Sequence, residues 1–165
     1  MSVVDVDRAS AVNEALQRAL HPDGVVAHEG ELEVRICAGT ACHASGRPAV
    51  TAAFQDQLAE KGLAGKVRVV ETGCHGFCEQ GPIVVVQPKG LFYPRVRAAD
   101  VAGIIAASIE GDGIYEKRLY KDPQSGEPVP YEKDIPFYSG QRRLVLALNG
   151  KIDPCSIDDY LAHDG

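Results

Sequence analysis

The chain lacks any apolar run approaching the roughly 20 residues of a membrane-crossing helix, so no direct membrane span is expected. It lacks a leader pattern as well, because Met1 to Ser10 contains Asp5 and Asp7 and no apolar segment. Together these absences predict a soluble, cytoplasmic protein. An excess of positive charge is also missing: 17 Lys and Arg stand against 23 Asp and Glu, a net charge of −6. Nucleic acid is therefore not an expected partner, since phosphate binding draws on clustered Lys and Arg. No Walker-type loop occurs, and Gly111-Asp112-Gly113 lacks the third glycine of a dinucleotide loop and follows a predicted helix, not a strand. No Ser/His/Asp set or carboxylate pair has a spacing that assigns it a catalytic role. No Cys-x-x-Cys is present, which argues against a dithiol redox catalyst. Repeats of solenoid period are absent too.

What the chain does have is cysteine. Five occur in 165 residues, a length that predicts one main domain able to bury a core without disulfide staples. In a reducing compartment such cysteines point to metal ligands or catalytic thiols. Four fall in two close pairs. Cys37 and Cys42 are separated by four residues, and Cys74 and Cys78 by three. Cys155 stands apart, with no cysteine or histidine at ligand spacing, and is read as a free thiol.

Hydrophobic periodicity places the pairs. Residues 8–20 read as a leading helix through Ala11, Val12, Ala15, Leu16 and Ala19, with no chemical role assigned to it. Leu32, Val34 and Ile36 alternate with charged residues, as in a strand. Pro48 opens a helix carrying Val50, Ala53, Phe54 and Leu58, with Gly62 as its C-cap. Val67–Val70 and Pro82–Val86 read as strands, and the unbroken run Ile83–Val86 implies burial on both faces. Lys89-Gly90 turns into a short strand Leu91–Tyr93, and Val101, Ile104, Ile105 and Ile109 mark a last helix closed by Gly111. The order is read as βαββα after the leading helix, an α/β sandwich with a small mixed sheet. The domains divide as a helical segment 1–28, a cysteine-bearing domain 29–111, and an irregular extension 112–165. Within the extension, Leu144–Leu148 is predicted as a strand, Asn149-Gly150 as a turn and Ile157–Leu161 as a helix.

The first cysteine pair follows a predicted strand directly, and the second lies in a loop between strands. Two loops leaving the end of one sheet can meet over one small object. A [2Fe–2S] cluster needs four thiolates, two per iron. Gly39, Gly46, Gly73, Gly76 and Gly81 crowd both segments, where glycine lets backbone N–H groups approach sulfur. Zinc also binds four cysteines at overlapping spacings, and a zinc-stabilised docking module remains the alternative on spacing alone. His43 and His75 each follow a cysteine immediately, where adjacent side chains diverge. Both are read as non-ligands, polar loop residues near the site.

These residues carry a resemblance. Cys37-Ala-Gly-Thr-Ala-Cys42-His43 and Gly73-Cys74-His-Gly-Phe-Cys78-Glu-Gln-Gly-Pro82 resemble the thioredoxin-like [2Fe–2S] ferredoxin domain over residues 30–110. That domain occurs in the small flavoprotein-fraction subunit of respiratory complex I. It is also fused to the N-terminus of proteins like the larger, NADH-binding flavoprotein of that complex, among them the beta subunits of electron-bifurcating hydrogenases. The resemblance implies a thioredoxin-like ferredoxin fold, a [2Fe–2S] cluster on Cys37, Cys42, Cys74 and Cys78, and one-electron transfer. In the extension, Ile135-Pro136-Phe137-Tyr138, Gln141 to Leu146, Gly150 to Pro154 and Ser156 to Tyr160 look like the segment leading into the FMN- and NADH-binding domain of that larger flavoprotein. Position 155, more usually acidic there, is a departure. This second resemblance implies a ferredoxin domain, a linker and the start of a truncated flavoprotein domain, with FMN and NAD bound only downstream. The implied partners are other iron–sulfur and flavin subunits of an NAD(H)-linked oxidoreductase. A homodimer of the isolated domain and a freestanding ferredoxin are the other arrangements considered.

Overall fold

A computed structural model of the protein describes residues 31–163. The leading helix expected at residues 8–20 lies outside the described residues. The elements run β1 (Glu33–Cys37), α1 (Thr40–Ala44), α2 (Arg47–Glu60), β2 (Arg68–Thr72), β3 (Val84–Gln87), β4 (Leu91–Tyr93) and α3 (Val101–Ile104), which continues as a π-helical segment over Ile105–Glu110. The extension adds β5 (Tyr120–Lys121), β6 (Pro128–Val129), α4 (Pro136–Ser139) and α5 (Ile157–Leu161). Even without the short α1 the domain reads βαβββα: all four strands read singly from the sequence form, the Leu91–Tyr93 arm of the hairpin included, and the βαββα order counted one too few.

The four strands stand in the order β2-β1-β3-β4. β1 pairs parallel with β2 and antiparallel with β3, which pairs antiparallel with β4. A parallel neighbour requires a crossover, and α2 supplies it. The helix starts at Gly46, has Pro48 in its first turn, and buries Val50, Thr51, Phe54 and Leu58 along one face. It ends where Gly62 turns at φ +67°, the left-handed region that glycine enters without a Cβ clash.

Strand alternation divides the core in two. Val34, Ile36, Val84, Val86, Leu91 and Tyr93 point to the face covered by α2 and α3, packing on Phe54, Leu58, Val101, Ile104 and Ile105. Each fully buried side chain of this kind contributes about 1.5–3 kcal/mol. Cys37, Val85 and Phe92 point the other way, and there Tyr120 and Ile135 of the extension cover them, with Val129, Phe137 and Tyr138 packed alongside. The Ile83–Val86 run is indeed buried throughout. Its second face is closed by the extension, which is thus the far layer of the sandwich and not a linker in the structural sense.

The predicted strand at Leu144–Leu148 does not form. The segment is a series of turns, held by bonds such as Asn149 N–H to the Leu146 carbonyl and Lys151 N–H to the Leu148 carbonyl. Leu144, Val145 and Leu146 are exposed, and among the described residues no strand pairs with them. The helix predicted at 157–161 does form, capped by the Ser156 hydroxyl, which accepts the Asp159 N–H. Gly150 turns at φ +82°.

The extension is fastened at both sheet edges. Beside β4, Phe92 N–H bonds the Pro130 carbonyl and Glu132 N–H the Gly90 carbonyl, around a bridge between Leu91 and Tyr131. Beside β2, the Arg68 guanidinium bonds Asp159 at 2.8 and 2.9 Å and Glu33 at 2.9 Å. Glu33 is buried and also accepts from Arg35. Arg68 is held above the ordinary guanidinium value by these two carboxylates, against the opposing effect of its own burial. Asp159 further accepts the Asp153 N–H. Replacing Asp159 with Ala removes a carboxylate that accepts several charge-assisted or backbone bonds. The expected cost is about 1.5–3 kcal/mol in denaturant unfolding, with faster amide exchange concentrated in residues 153–163. Unchanged exchange there would show that Asp159 does not hold the segment.

Candidate metal centre

The parallel pairing of β1 with β2 creates the site. It sets Cys37, the last residue of β1, opposite Thr72, the last residue of β2. Both strands therefore release their following loops at the same end of the sheet. The Ala38 N–H bonds the Thr72 carbonyl and the Cys37 N–H bonds the Ile83 carbonyl, so three chain segments are tied at one point. Cys42 follows on α1, and Cys78 begins a short 3-10 turn, Cys78–Gln80. Cys37 and Cys42 are buried, Cys74 is half-buried and Cys78 is exposed. Cys155 is exposed on the distal part of the extension, and its N–H bonds Asp153.

The sulfurs are gathered in pairs. The Cys42 thiol donates towards the Cys37 sulfur, drawing Cys37 well below the ordinary thiol value and pushing Cys42 above it. Backbone N–H groups of His75 and Gly39 also stabilise the Cys37 thiolate. The Gly76 N–H bonds Cys74 Sγ at 3.3 Å, while burial pushes the Cys74 thiol up and the negative charge of Cys37 adds to it. Cys74 interacts directly with Cys78.

Two glycines are required by contact with sulfur. A Cβ on Gly39 would lie 3.0 Å from Cys74 Sγ and 3.6 Å from Cys37 Sγ, which places this residue between the two loops. A Cβ on Gly81 would lie 2.7 Å from Cys42 Sγ. Gly46, by contrast, only turns the chain into α2. A structural zinc site also takes four thiolates, so the ligand types alone do not separate the two centres. Two thiolate pairs lined by backbone N–H donors fit a centre with two irons.

The histidines differ from each other. His43 is exposed and its Nδ1 lies 3.0 Å from Arg47 Nη2. His75 is a loop residue beside the site, as its sequence position suggests, and it is only 1% exposed. Its Nε2 lies 2.9 Å from Thr72 Oγ1, and its Nδ1 lies 3.3 Å from Glu132 Oε1. With both ring nitrogens occupied, the imidazole braces the cysteine loop against the extension. Gly150 approaches the ring so closely that a Cβ there would lie 3.1 Å from it.

The extension supplies residues that motif spacing missed. Arg143 Nη2 donates to the His75 carbonyl at 2.6 Å, and Asn149 Nδ2 donates to the Cys74 carbonyl at 3.3 Å. Phe77, inside the second cysteine loop, stacks on Phe137 at 4.2 Å and meets Tyr138 edge-on at 5.9 Å. Phe77 was the available signal: a large apolar ring between two cysteines needs a cover, and the aromatic pair Phe137-Tyr138 provides one. Two buried polar atoms among the described residues have no partner in the protein, Arg47 Nε and Tyr138 Oη. Burial holds the Tyr138 phenol far above its ordinary value, helped by the charges of Glu132, Cys37 and Cys74 and opposed by Arg143.

Two pairs of thiols at one sheet end, graded from buried to exposed, with amide donors and an apolar wall, point to a class, the iron–sulfur proteins. The model of the thioredoxin-like [2Fe-2S] ferredoxin family matches residues 25–108, about half of the chain, and the chain belongs to that family. It is 41% identical over 78 residues to "Ferredoxin, 2Fe-2S" of Clostridium pasteurianum, covering 47% of this chain and 76% of that protein. It is 34% identical over 89 residues to "Ferredoxin, 2Fe-2S" of Aquifex aeolicus, covering 53% and 68%. The crystal structure of the wild-type thioredoxin-like [2Fe-2S] ferredoxin from Aquifex aeolicus superposes with a TM-score of 0.50 at 26% identity, covering 56% of this chain and 98% of that one. The fold is the thioredoxin-like ferredoxin fold, the cofactor is a [2Fe–2S] cluster, and the function is electron transfer. Zinc gives way to iron–sulfur on the same grounds. No helix among the described residues is long and apolar enough to cross a membrane.

Gly81 offers a clean test of the crowding around Cys42. Its backbone, at φ −71° and ψ 157°, suits any residue, so alanine perturbs only through its Cβ. Gly81→Ala is expected to retain the far-ultraviolet dichroism of the parent, lose about 1–3 kcal/mol through overpacking, and bind less iron per chain. Full iron content in a folded Gly81→Ala protein would show that the Cys42 sulfur can move without consequence.

Proposed function

We propose that Cys37, Cys42, Cys74 and Cys78 hold the cluster, and that the chain is the electron-relay domain of an NAD(H)-linked oxidoreductase subunit. The ligand assignment rests on the pairing of these four sulfurs at one end of the sheet, with amide donors on Cys37 and Cys74. When bound, the cluster accepts and gives up one electron at a time. The chain's part is to hold the thiolates, keep solvent from Cys37 and Cys42, half-cover Cys74 and leave Cys78 at the surface. On this reading, residues 112–165 form the entry to a flavoprotein domain that binds FMN and NAD. The observation that carries it is that the segment resembling that entry docks on the second cysteine loop through Arg143 and Asn149. Partners would be other iron–sulfur and flavin subunits.

A second reading is favoured by the relatives. Both ferredoxins named above are called simply that, and 98% of the Aquifex structure is covered. A freestanding ferredoxin with its own C-terminal cover would look the same up to residue 108. The two readings separate in the native protein purified from its own cells. A longer polypeptide with bound FMN, whose cluster is reduced by NADH, supports the oxidoreductase; a flavin-free polypeptide of 165 residues supports the ferredoxin.

The ligand set is tested by absorption and electron paramagnetic resonance of the anaerobically reconstituted protein. Cys74→Ser is expected to lose most of its cluster, as iron and acid-labile sulfide per chain. Cys155→Ser should leave the spectrum unchanged. Equal loss in both variants would overturn the assignment.

A further inference from the structure

The phenol of Tyr138 has a donor to give and no acceptor in the protein to give it to. Its Oη is buried and unpartnered, although a buried tyrosine hydroxyl ordinarily finds a hydrogen-bond partner. The ring is fixed on several sides. It meets Phe92 edge-on at 5.8 Å, Phe77 at 5.9 Å and Phe137 at 5.1 Å, and the Arg143 guanidinium carbon lies 5.3 Å from its centroid. These contacts fix the ring with its hydroxyl buried. The ring packs in the same cluster as Cys37, Cys42 and Cys74, and its hydroxyl lies within electrostatic range of the Cys37 and Cys74 sulfurs. Two facts thus meet: an orphaned donor on the extension, and a sulfur-rich centre beside it that concentrates negative charge.

We propose that Tyr138 Oη donates a hydrogen bond to an inorganic sulfide of the cluster held at this site and thereby raises the reduction potential. The inference rests on the ligand assignment above. No covalent bond forms or breaks and the proton stays on the phenol. One added electron makes the sulfurs more negative, so a hydrogen bond to sulfur favours the reduced form. Arg143 acts as a positioning residue here: it lies over the Tyr138 ring while bonding the His75 carbonyl in the cysteine loop. A residue outside the matched ferredoxin segment 25–108 then sets a property of the centre inside it.

The test is a redox titration of the reconstituted full chain followed by electron paramagnetic resonance, with pulsed measurements in H₂O and D₂O that count exchangeable protons coupled to the reduced cluster. Tyr138→Phe keeps the ring and removes only the hydroxyl. With iron and sulfide content equal to the parent, the reduced-to-oxidised ratio at a fixed potential should fall about tenfold, the worth of one hydrogen bond to a charged acceptor. That corresponds to about 59 mV for a one-electron couple, and one exchangeable coupling should disappear. Tyr131→Phe, which removes an exposed phenol from the same extension, should change neither reading. A loaded Tyr138→Phe protein with parental potential and couplings would overturn the proposal. Should Tyr138→Phe fail to load, 3-fluorotyrosine at position 138 decides: a stronger donor of nearly the same shape should raise the potential, and an unchanged potential would overturn it. A Cys74→Ser protein with full iron content would overturn the ligand assignment instead, so the two failures are read separately.

Discussion

Thiolate charge drawn into a poorly solvated place is the constraint on which the rest of this structure depends. Each buried anion needs donors close by, and the cheapest are backbone N–H groups already aimed inward. The parallel registration of Cys37 with Thr72 meets that need, because it brings two loops to one sheet end and turns the amides of Gly39, His75 and Gly76 towards sulfur. The loops could not approach so closely with ordinary side chains at positions 39 and 81. α2 is the element that makes the parallel pair possible, so the electrostatics at one end of the sheet depend on a helix lying across its face.

A second demand arises from the first. Loops shaped by amide–sulfur contacts leave their own carbonyls pointing outward. Arg143 and Asn149 bond those of His75 and Cys74, and His75 itself is clamped between Thr72 and Glu132. The extension therefore finishes a shell that the domain alone leaves open on that side, and it does so with charged and amide groups, not merely with bulk.

Much of this was legible in the sequence, for local reasons. The alternation in Leu32–Ile36, the helical spacing of Val50, Phe54 and Leu58 and the turn at Gly90 each depend on near neighbours, and all were read correctly. So was the gathering of two cysteine loops at a sheet end. The extension was not, since its conformation is decided by residues far away in the chain: Arg68 reaches Asp159 across 91 positions and Asn149 reaches Cys74 across 75. Leu144–Leu148 has strand-like composition, but among the described residues no strand pairs with it. One clue was overlooked. An uninterrupted apolar strand at Ile83–Val86 asks for cover on both faces; among the described residues α2 and α3 cover one, and residues after 111 cover the other. His75 reads as a polar loop residue near the site; its burial was not legible, because Thr72, Glu132, Arg143 and Gly150 come from three separate stretches.

The two fastenings of the extension have a meaning apart from the metal. β2 and β4 are the outermost strands of the sheet, and an uncovered outer strand is a template on which another chain can add, the first step of aggregation. Backbone around Tyr131 occupies the flank of β4, whereas α5 is joined to β2 only through the side-chain fork of Arg68 and Asp159. The same stretch of chain that finishes the cysteine site thus guards the β4 flank, and a protease cut ahead of Tyr131 would free a template on which another chain can add.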